Sequence, residues 1–328
     1  MKVLKKTPRI LIALIAFYLI SGIVNPNMFS SGQLTNLMKT TPFLAVVAMG
    51  HTFVVLSGGT DLSVSSVITA TLIISCRIMD YGNGSIFFAV AACLLLGVVV
   101  GVVKGFIITR FNILPLVVTL SLNYVIFGLA LILSKGVTIG RVSPEFEVIT
   151  KGYTFGVIPN SFTIMIIVGV VFWFILNKTR FGNELYCTGA NARAAYVSGI
   201  NESATIIKAH IVCSISAVIT GLLLASYIQI PSFDAGDPYS LNSLAAVLVG
   251  GSAMTGGVGS VVLSMLGAMF VTMLNSFLNV IRSSIGVQYL CQGAIIVFGV
   301  WISSGRIDLG GIKANFSARR KNNTSDIG

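Results

Sequence analysis

Charge is what this sequence has least of. Only 9% of its residues are Asp, Glu, Lys or Arg, against about 25% in a soluble domain. Such a chain cannot cover a water-facing surface, so lipid must be its solvent. Histidine is scarcer still: there are 2, His51 and His210, and neither stands in an H-E-x-x-H pattern. No Gly-Lys pair occurs, which excludes a G-x-x-x-x-G-K-[ST] phosphate loop and ATP hydrolysis by that route. The 5 cysteines, Cys76, Cys93, Cys187, Cys213 and Cys291, stand singly without a C-x-x-C. Neither a disulfide nor a metal site is expected of them, and no cofactor is; most act as small apolar side chains. No two carboxylates share an apolar segment, which leaves a proton relay poorly supplied. No catalytic constellation for a membrane enzyme stands out either.

What is present is apolar: 55% of the chain is hydrophobic. A spanning helix needs roughly 20 apolar residues, and about ten segments approach that length. They are 10–24, 42–56, 62–79, 86–108, 112–133, 162–176, 204–230, 241–254, 261–281 and 285–303, the eighth being short. The expectation is an all-α membrane protein, a polytopic bundle of about ten transmembrane helices. Broken or re-entrant segments are expected near 57–61 and 250–260, where glycines interrupt the apolar runs. Residues 1–9 form a basic lead, 10–303 a single transmembrane domain, and 304–328 a polar tail. The 10–24 segment has the length of a secretory signal core, but no small-x-small cleavage site follows it cleanly, which favours an uncleaved first span. Pro42 is expected to open the second span, proline being unstrained at a helix start, with 25–40 looping outside.

The net charge of +11 is no nucleic-acid footprint, because its distribution instead orients the bundle. With both termini inside, Lys39, Arg77, Lys135, Arg141, Lys151 and Arg282 lie outside. The other fifteen of the 21 Lys and Arg lie inside, Lys104 among them. Positive charge stays with the cytoplasm, so the loop 177–203 is expected there.

That loop holds a polar, small-residue island at 179–201. Asn191 is a good N-cap, 192–198 tolerates a helix, and Gly199 can take the left-handed position past its end. An Ala-rich helix of under two turns is not stable alone in water and needs a partner to lie against. Elsewhere, Asp61 stands beside the break after Leu56. An acidic group at membrane depth is a functional candidate, and it is also a favoured N-cap for a helix beginning at Leu62. Polar residues fall at helical spacing on the ninth segment (Ser264, Ala268, Thr272, Asn275, Asn279), the tenth (Gln288, Gln292) and the fifth (Thr119, Asn123). Such faces serve helix packing or wall a pathway for a polar solute. An internal echo relates 55–60 (VLSGGT) to 247–252 (VLVGGS), and transporters often carry repeats.

Four stretches together carry a resemblance: GHTFVVLSGGTDLSVSS at 50–66, ILPLVVTL at 113–120, the island 179–201, and LAAVLVGGSAMTGGVGS at 244–260. In this order the chain resembles the membrane permeases of ribose-type bacterial ABC importers, which handle monosaccharides and autoinducer-2. It departs where the family usually has Met (His51), a branched aliphatic (Thr60), Gly (Ser65) and a second Gly (Ala190). The resemblance implies a pore formed with a second permease, a copy or a sister, in the bacterial inner membrane. It also implies a cytoplasmic ABC ATPase and a periplasmic or lipid-anchored sugar-binding protein. The island matches the family's ATPase-coupling segment, which implies coupling roles for Tyr186, Asn191, Arg193, Ala194, Ala195, Ser198 and Gly199. The pathway candidates are Asp61, Thr119, Asn123, Thr272, Asn275, Asn279, Gln288 and Gln292. A secondary carrier or passive facilitator of small polar solutes is the alternative.

Overall fold

The protein is described by a computed structural model covering residues 7–80, 82 and 85–303. The basic lead through Lys6 and the tail from 304 lie outside the described residues. The ten apolar segments form α1 (Thr7–Val24), α2 (Ser31–Leu56), α3 (Val64–Met79), α4 (Ile86–Phe111), α5 (Pro115–Ser134), α7 (Asn160–Lys178), α10 (Glu202–Ile228), α11 (Asp237–Val249), α12 (Val261–Val280) and α13 (Ile285–Ser303). Among the described residues, 6 helices are long and apolar enough to cross a membrane, and α1, α3 and α13 contribute shorter apolar stretches. At 1.5 Å per residue, α11 is about 20 Å long and falls short of the roughly 30 Å hydrocarbon core. The remaining α-helices among the described residues are short, α6 (Pro144–Lys151), α8 (Arg180–Ala190) and α9 (Ala192–Val197), and a 3-10 turn at Pro26–Phe29 precedes α2.

α2 is the axis of the bundle. Its apolar window is 89% buried, against 22% for α5 and α7, because α7, α10, α11 and α12 all pack on it. The helix starts eleven residues before Pro42 (Ser31), where the sequence suggested an external loop. Ser30 caps it, its hydroxyl accepting the Gln33 N–H at 3.2 Å. A proline inside a helix removes one backbone hydrogen bond. Local side-chain bonds support the turn before it: Thr40 donates to the Asn36 carbonyl at 2.9 Å. α1 lies against α12, with Phe17 5.3 Å from Phe270 and 5.9 Å from Phe277, centroid to centroid.

Helices in lipid gain little from burying apolar surface, so close packing decides which pairs meet. α4 carries Gly97, Gly101 and Gly105 at four-residue steps, and this stripe lies on α10. A Cβ on Gly101 would stand 2.9 Å from the His210 carbonyl, and one on Gly105 2.6 Å from the Ile207 Cα. Gly101→Val should therefore force α4 off α10. We expect a loss of about 1–3 kcal/mol of stability, read as a lower apparent melting temperature in detergent, with Gly128→Val, which has open space, as the tolerated control.

Between α5 and α7 the chain forms α6 and a hairpin of β1 (Tyr153–Thr154) and β2 (Ile158–Pro159), paired antiparallel with Tyr153 opposite Pro159. Glu147 on α6 accepts from Lys151 at 2.6 Å and from Arg141 at 3.4 Å. The Lys151 hydrogen bond foremost holds its carboxyl below the usual range.

Candidate functional site

The chain between α2 and α3 is where the bundle interrupts itself. Gly58 takes a φ of +82°, and the Gly59 N–H returns to the Val54 carbonyl at 3.0 Å. Asp61 follows, fully buried. One carboxylate oxygen accepts the Ser63 N–H at 3.0 Å and the Ser63 hydroxyl at 2.7 Å. The other accepts the Lys104 ammonium at 2.5 Å and faces His210 Nδ1 at 3.5 Å. Lys104 also donates to the Ser63 hydroxyl at 3.0 Å.

Two expectations are corrected here. Asp61 does not cap α3, which begins at Val64 with Ser63 as its N-cap residue. Its side chain instead closes a turn onto Ser63, two residues on, because Lys104 holds its second oxygen. Lys104 is no inner-loop charge either. It lies six residues before Arg110 on α4 and is wholly enclosed. A buried carboxylate draws an ammonium inward because neither charge is tolerable there alone.

The rest of the break is satisfied one group at a time. The Asp61 N–H donates to His51 Nε2 at 3.2 Å, which places the His51 proton on Nδ1, 2.9 Å from the Ser243 hydroxyl. The Ser243 hydroxyl in turn donates to the Ser240 carbonyl at 3.0 Å, and the Ser240 hydroxyl donates to the Leu62 carbonyl at 3.2 Å. On the other side the Thr119 hydroxyl oxygen accepts the Leu62 N–H at 3.2 Å. The Asn123 side-chain carbonyl accepts from the Ser65 hydroxyl at 2.8 Å and the Ser66 N–H at 3.2 Å. Helices α2, α4, α5, α10 and α11 thus converge on seven residues of irregular backbone. Lipid-depth backbone without such partners would be unstable. His210 Nε2 is the one ring nitrogen of the cluster with no partner among the described residues.

The polar island forms two helices rather than one. α8 begins where Thr179 accepts the Gly182 N–H at 3.3 Å, and an Arg180–Glu184 pair at 2.8 Å spans its first turn. Its buried positions, Gly182, Leu185 and Thr188, step by threes and face the bundle. Asn191 ends α8 and caps α9, accepting the Ala194 N–H at 3.0 Å. Gly199 takes a φ of +77° and donates to the Tyr196 carbonyl at 2.9 Å, closing α9 as the residues suggested. Asn191, Arg193, Ala194, Ser198 and Gly199 are exposed. Tyr186 is half-buried and donates to the Gly259 carbonyl at 2.9 Å; Ala195 is 2% exposed. Both turn toward the bundle. The exposed apolar tip is Tyr196 and Val197, 76% and 81% open. The sequence reading passed over this pair; its signal was an aromatic and a branched residue side by side in a polar island.

A family described as the permease component of the branched-chain amino acid transport system matches residues 33–300. The chain belongs to that family. The ribose import permease of Haemophilus influenzae is 32% identical over 296 residues, which cover 89% of this permease and 91% of that one. The ribose import permease of Escherichia coli is 30% identical over 298 residues, 90% and 92% of the two chains. The galactose/methyl galactoside import permease of Escherichia coli is 28% identical over 316 residues, 90% and 91%. These relatives agree with the resemblance to monosaccharide ABC importer permeases read from the motifs. No solved structure matches.

The remaining polar positions of this permease lie apart from the break. Asn279 accepts from Gln288 at 2.9 Å and Asn275 from Gln292 at 3.4 Å, joining α12 to α13. Thr272 is half-buried on the same helix. Ser264 accepts from Thr52 of α2 at 2.7 Å. Asp61, Thr119 and Asn123 are brought together around the break; Thr272, Asn275, Asn279, Gln288 and Gln292 form a second group.

Proposed function

We propose that this permease is the pore-forming subunit of an ATP-driven monosaccharide importer in a bacterial inner membrane. Both termini and the 177–203 loop face the cytoplasm. An extracytoplasmic binding protein delivers the sugar, a second permease completes the pore, and a cytoplasmic ABC ATPase docks on α9. The observation that carries this reading is the exposed Tyr196–Val197 tip. It stands on a capped helix between membrane-length spans, in a chain with no phosphate loop of its own. Burying it against a partner removes apolar surface from water, and an aromatic is the residue type that anchors such interfaces. The similarity to ribose and galactose import permeases, over 89–90% of this chain, supports a monosaccharide as cargo. In this reading the enclosed Asp61 and Thr119 hold the break in shape. Asn123, and the group on α12 and α13, offer uncharged hydrogen-bonding side chains to sugar hydroxyls.

The test is reconstitution in liposomes with labelled ribose and galactose. Uptake is expected only when ATPase, ATP and binding protein are all present. Uptake by the permease alone, down a gradient and without ATP, would overturn the motor-driven reading in favour of a passive facilitator.

A further inference from the structure

Three backbone segments meet in direct contact at one end of the bundle. They are the end of α2 (56–58), the last turn of α8 (189–190) and the loop before α12 (256–259). The Gly257 N–H donates to the Leu56 carbonyl at 2.9 Å. The Tyr186 hydroxyl donates to the Gly259 carbonyl at 2.9 Å. A Cβ on Gly189 would overlap the Leu56 carbonyl and stand 2.5 Å from the Gly257 nitrogen. One on Gly256 would stand 2.8 Å from the Gly189 carbonyl and 3.0 Å from the Gly58 nitrogen, and one on Gly257 2.7 Å from the Ala190 Cα.

We propose that the last turn of α8, through Tyr186 and Gly189, is the transmission contact that delivers movement of the 179–201 island to both breaks at once. This rests on the function proposed above and assigns two positioning residues within it. The two breaks flank the shorter helices: the first precedes α3, of 16 residues, and the second follows α11, of 13. Movement of either break therefore moves a short helix inside the bundle. Backbone pressed on backbone has no rotatable side chain to absorb a displacement, and close-packed contacts transmit strain. Gly58 is three residues from Asp61, so a shift at α8 has only the break itself to cross before the charged cluster. α9, which stands outside and carries the exposed tip, joins α8 through the single residue Asn191. Small shifts at an effector site become discrete rearrangements where packed elements have two arrangements.

The complete importer in proteoliposomes, with labelled ribose and galactose, tests this. Tyr186→Phe removes one hydroxyl and Gly189→Ala adds one methyl. Sugar uptake and ATP hydrolysis are measured on the same vesicles. ATPase is expected to remain bound, and hydrolysis to stay within about twofold of the parent. Sugar carried per ATP is expected to fall about threefold for Tyr186→Phe and about tenfold or more for Gly189→Ala. A purely structural role would lower both rates together and leave their ratio alone, which would overturn the proposal. An unchanged ratio with both rates normal would overturn it too, as would loss of bound ATPase. Should Gly189→Ala fail to fold, the Tyr186→Phe ratio decides. A parent complex without ATP-dependent uptake would instead sink the transport reading, and the parent vesicles report that separately.

Discussion

Lys104→Met should leave little folded permease, and the double variant Asp61→Asn/Lys104→Met should recover much of it. The argument is electrostatic. Asp61 and Lys104 are both fully enclosed and 2.5 Å apart. Removing one partner of a buried pair leaves a charge with no water to solvate it, which costs about 3–5 kcal/mol. Domain stability as a whole is only about 5–15 kcal/mol, so this is a large share. Replacing both partners removes the unpaired charge. Asparagine keeps an oxygen for the two Ser63 bonds, so the turn after the break survives. The check is a thermal series of all four proteins by size-exclusion chromatography in detergent. If the double variant is as unstable as the two single losses added, the pair is not what holds the break. Lys104 would then owe its position to α4–α10 packing alone.

Tyr196→Asp should abolish ATP-driven uptake while leaving the permease inserted and folded. Tyr196 is 76% exposed, so nothing within the chain depends on its ring. If the ring is an anchor for the ATPase, its replacement by a charge should cost about 2–4 kcal/mol of binding, or roughly 30- to 1,000-fold in affinity. Ala194→Glu, also at an exposed position of α9, should act alike. Ala195→Glu provides the contrast: at 2% exposed its charge would enter the permease and lower folded yield instead. Copurification of the ATPase with each variant measures this. Full retention by Tyr196→Asp would put the docking surface elsewhere on the chain.

The two experiments probe opposite ends of the proposed path. The charged cluster fixes the break inside the bundle, and the α9 tip stands outside it. Tyr186 and Gly189 lie between them. A loosened cluster should depress stability and transport together, whereas a blunted tip should remove the motor from a sound permease. That difference in signature keeps a folding defect from being mistaken for a coupling defect.

The ten segments, both Gly-rich breaks and the α9 cap at Asn191 were legible in the sequence, because each is a local matter of apolar run length, turn chemistry or side-chain capping. α8 was missed. Phe181, Leu185 and Thr188 do fall at steps of four and three, but Gly182 and Gly189 are poor helix formers and hide the helix until the bundle supplies a surface for Gly182, Leu185 and Thr188. Pro42 misled, because a proline rule about helix starts holds for an isolated helix and yields when neighbours hold the preceding turn. The Gly97–Gly101–Gly105 stripe could have been read as a packing face from its spacing. What it packs on could not.

The chain by itself determined that lipid is its solvent, roughly how many helices it makes, where they break, and that no nucleotide-hydrolysing loop is built in. These follow from composition and from rules that act within a few residues. Only the tertiary structure decided that Lys104 leaves the basic inner set to meet Asp61, that His51 and His210 join them, and that Gly189 touches both breaks. Along the chain, Asp61 stands 10 residues from His51, 43 from Lys104 and 149 from His210. Charge pairing and backbone contact depend on distance in space, which spacing along a chain does not encode.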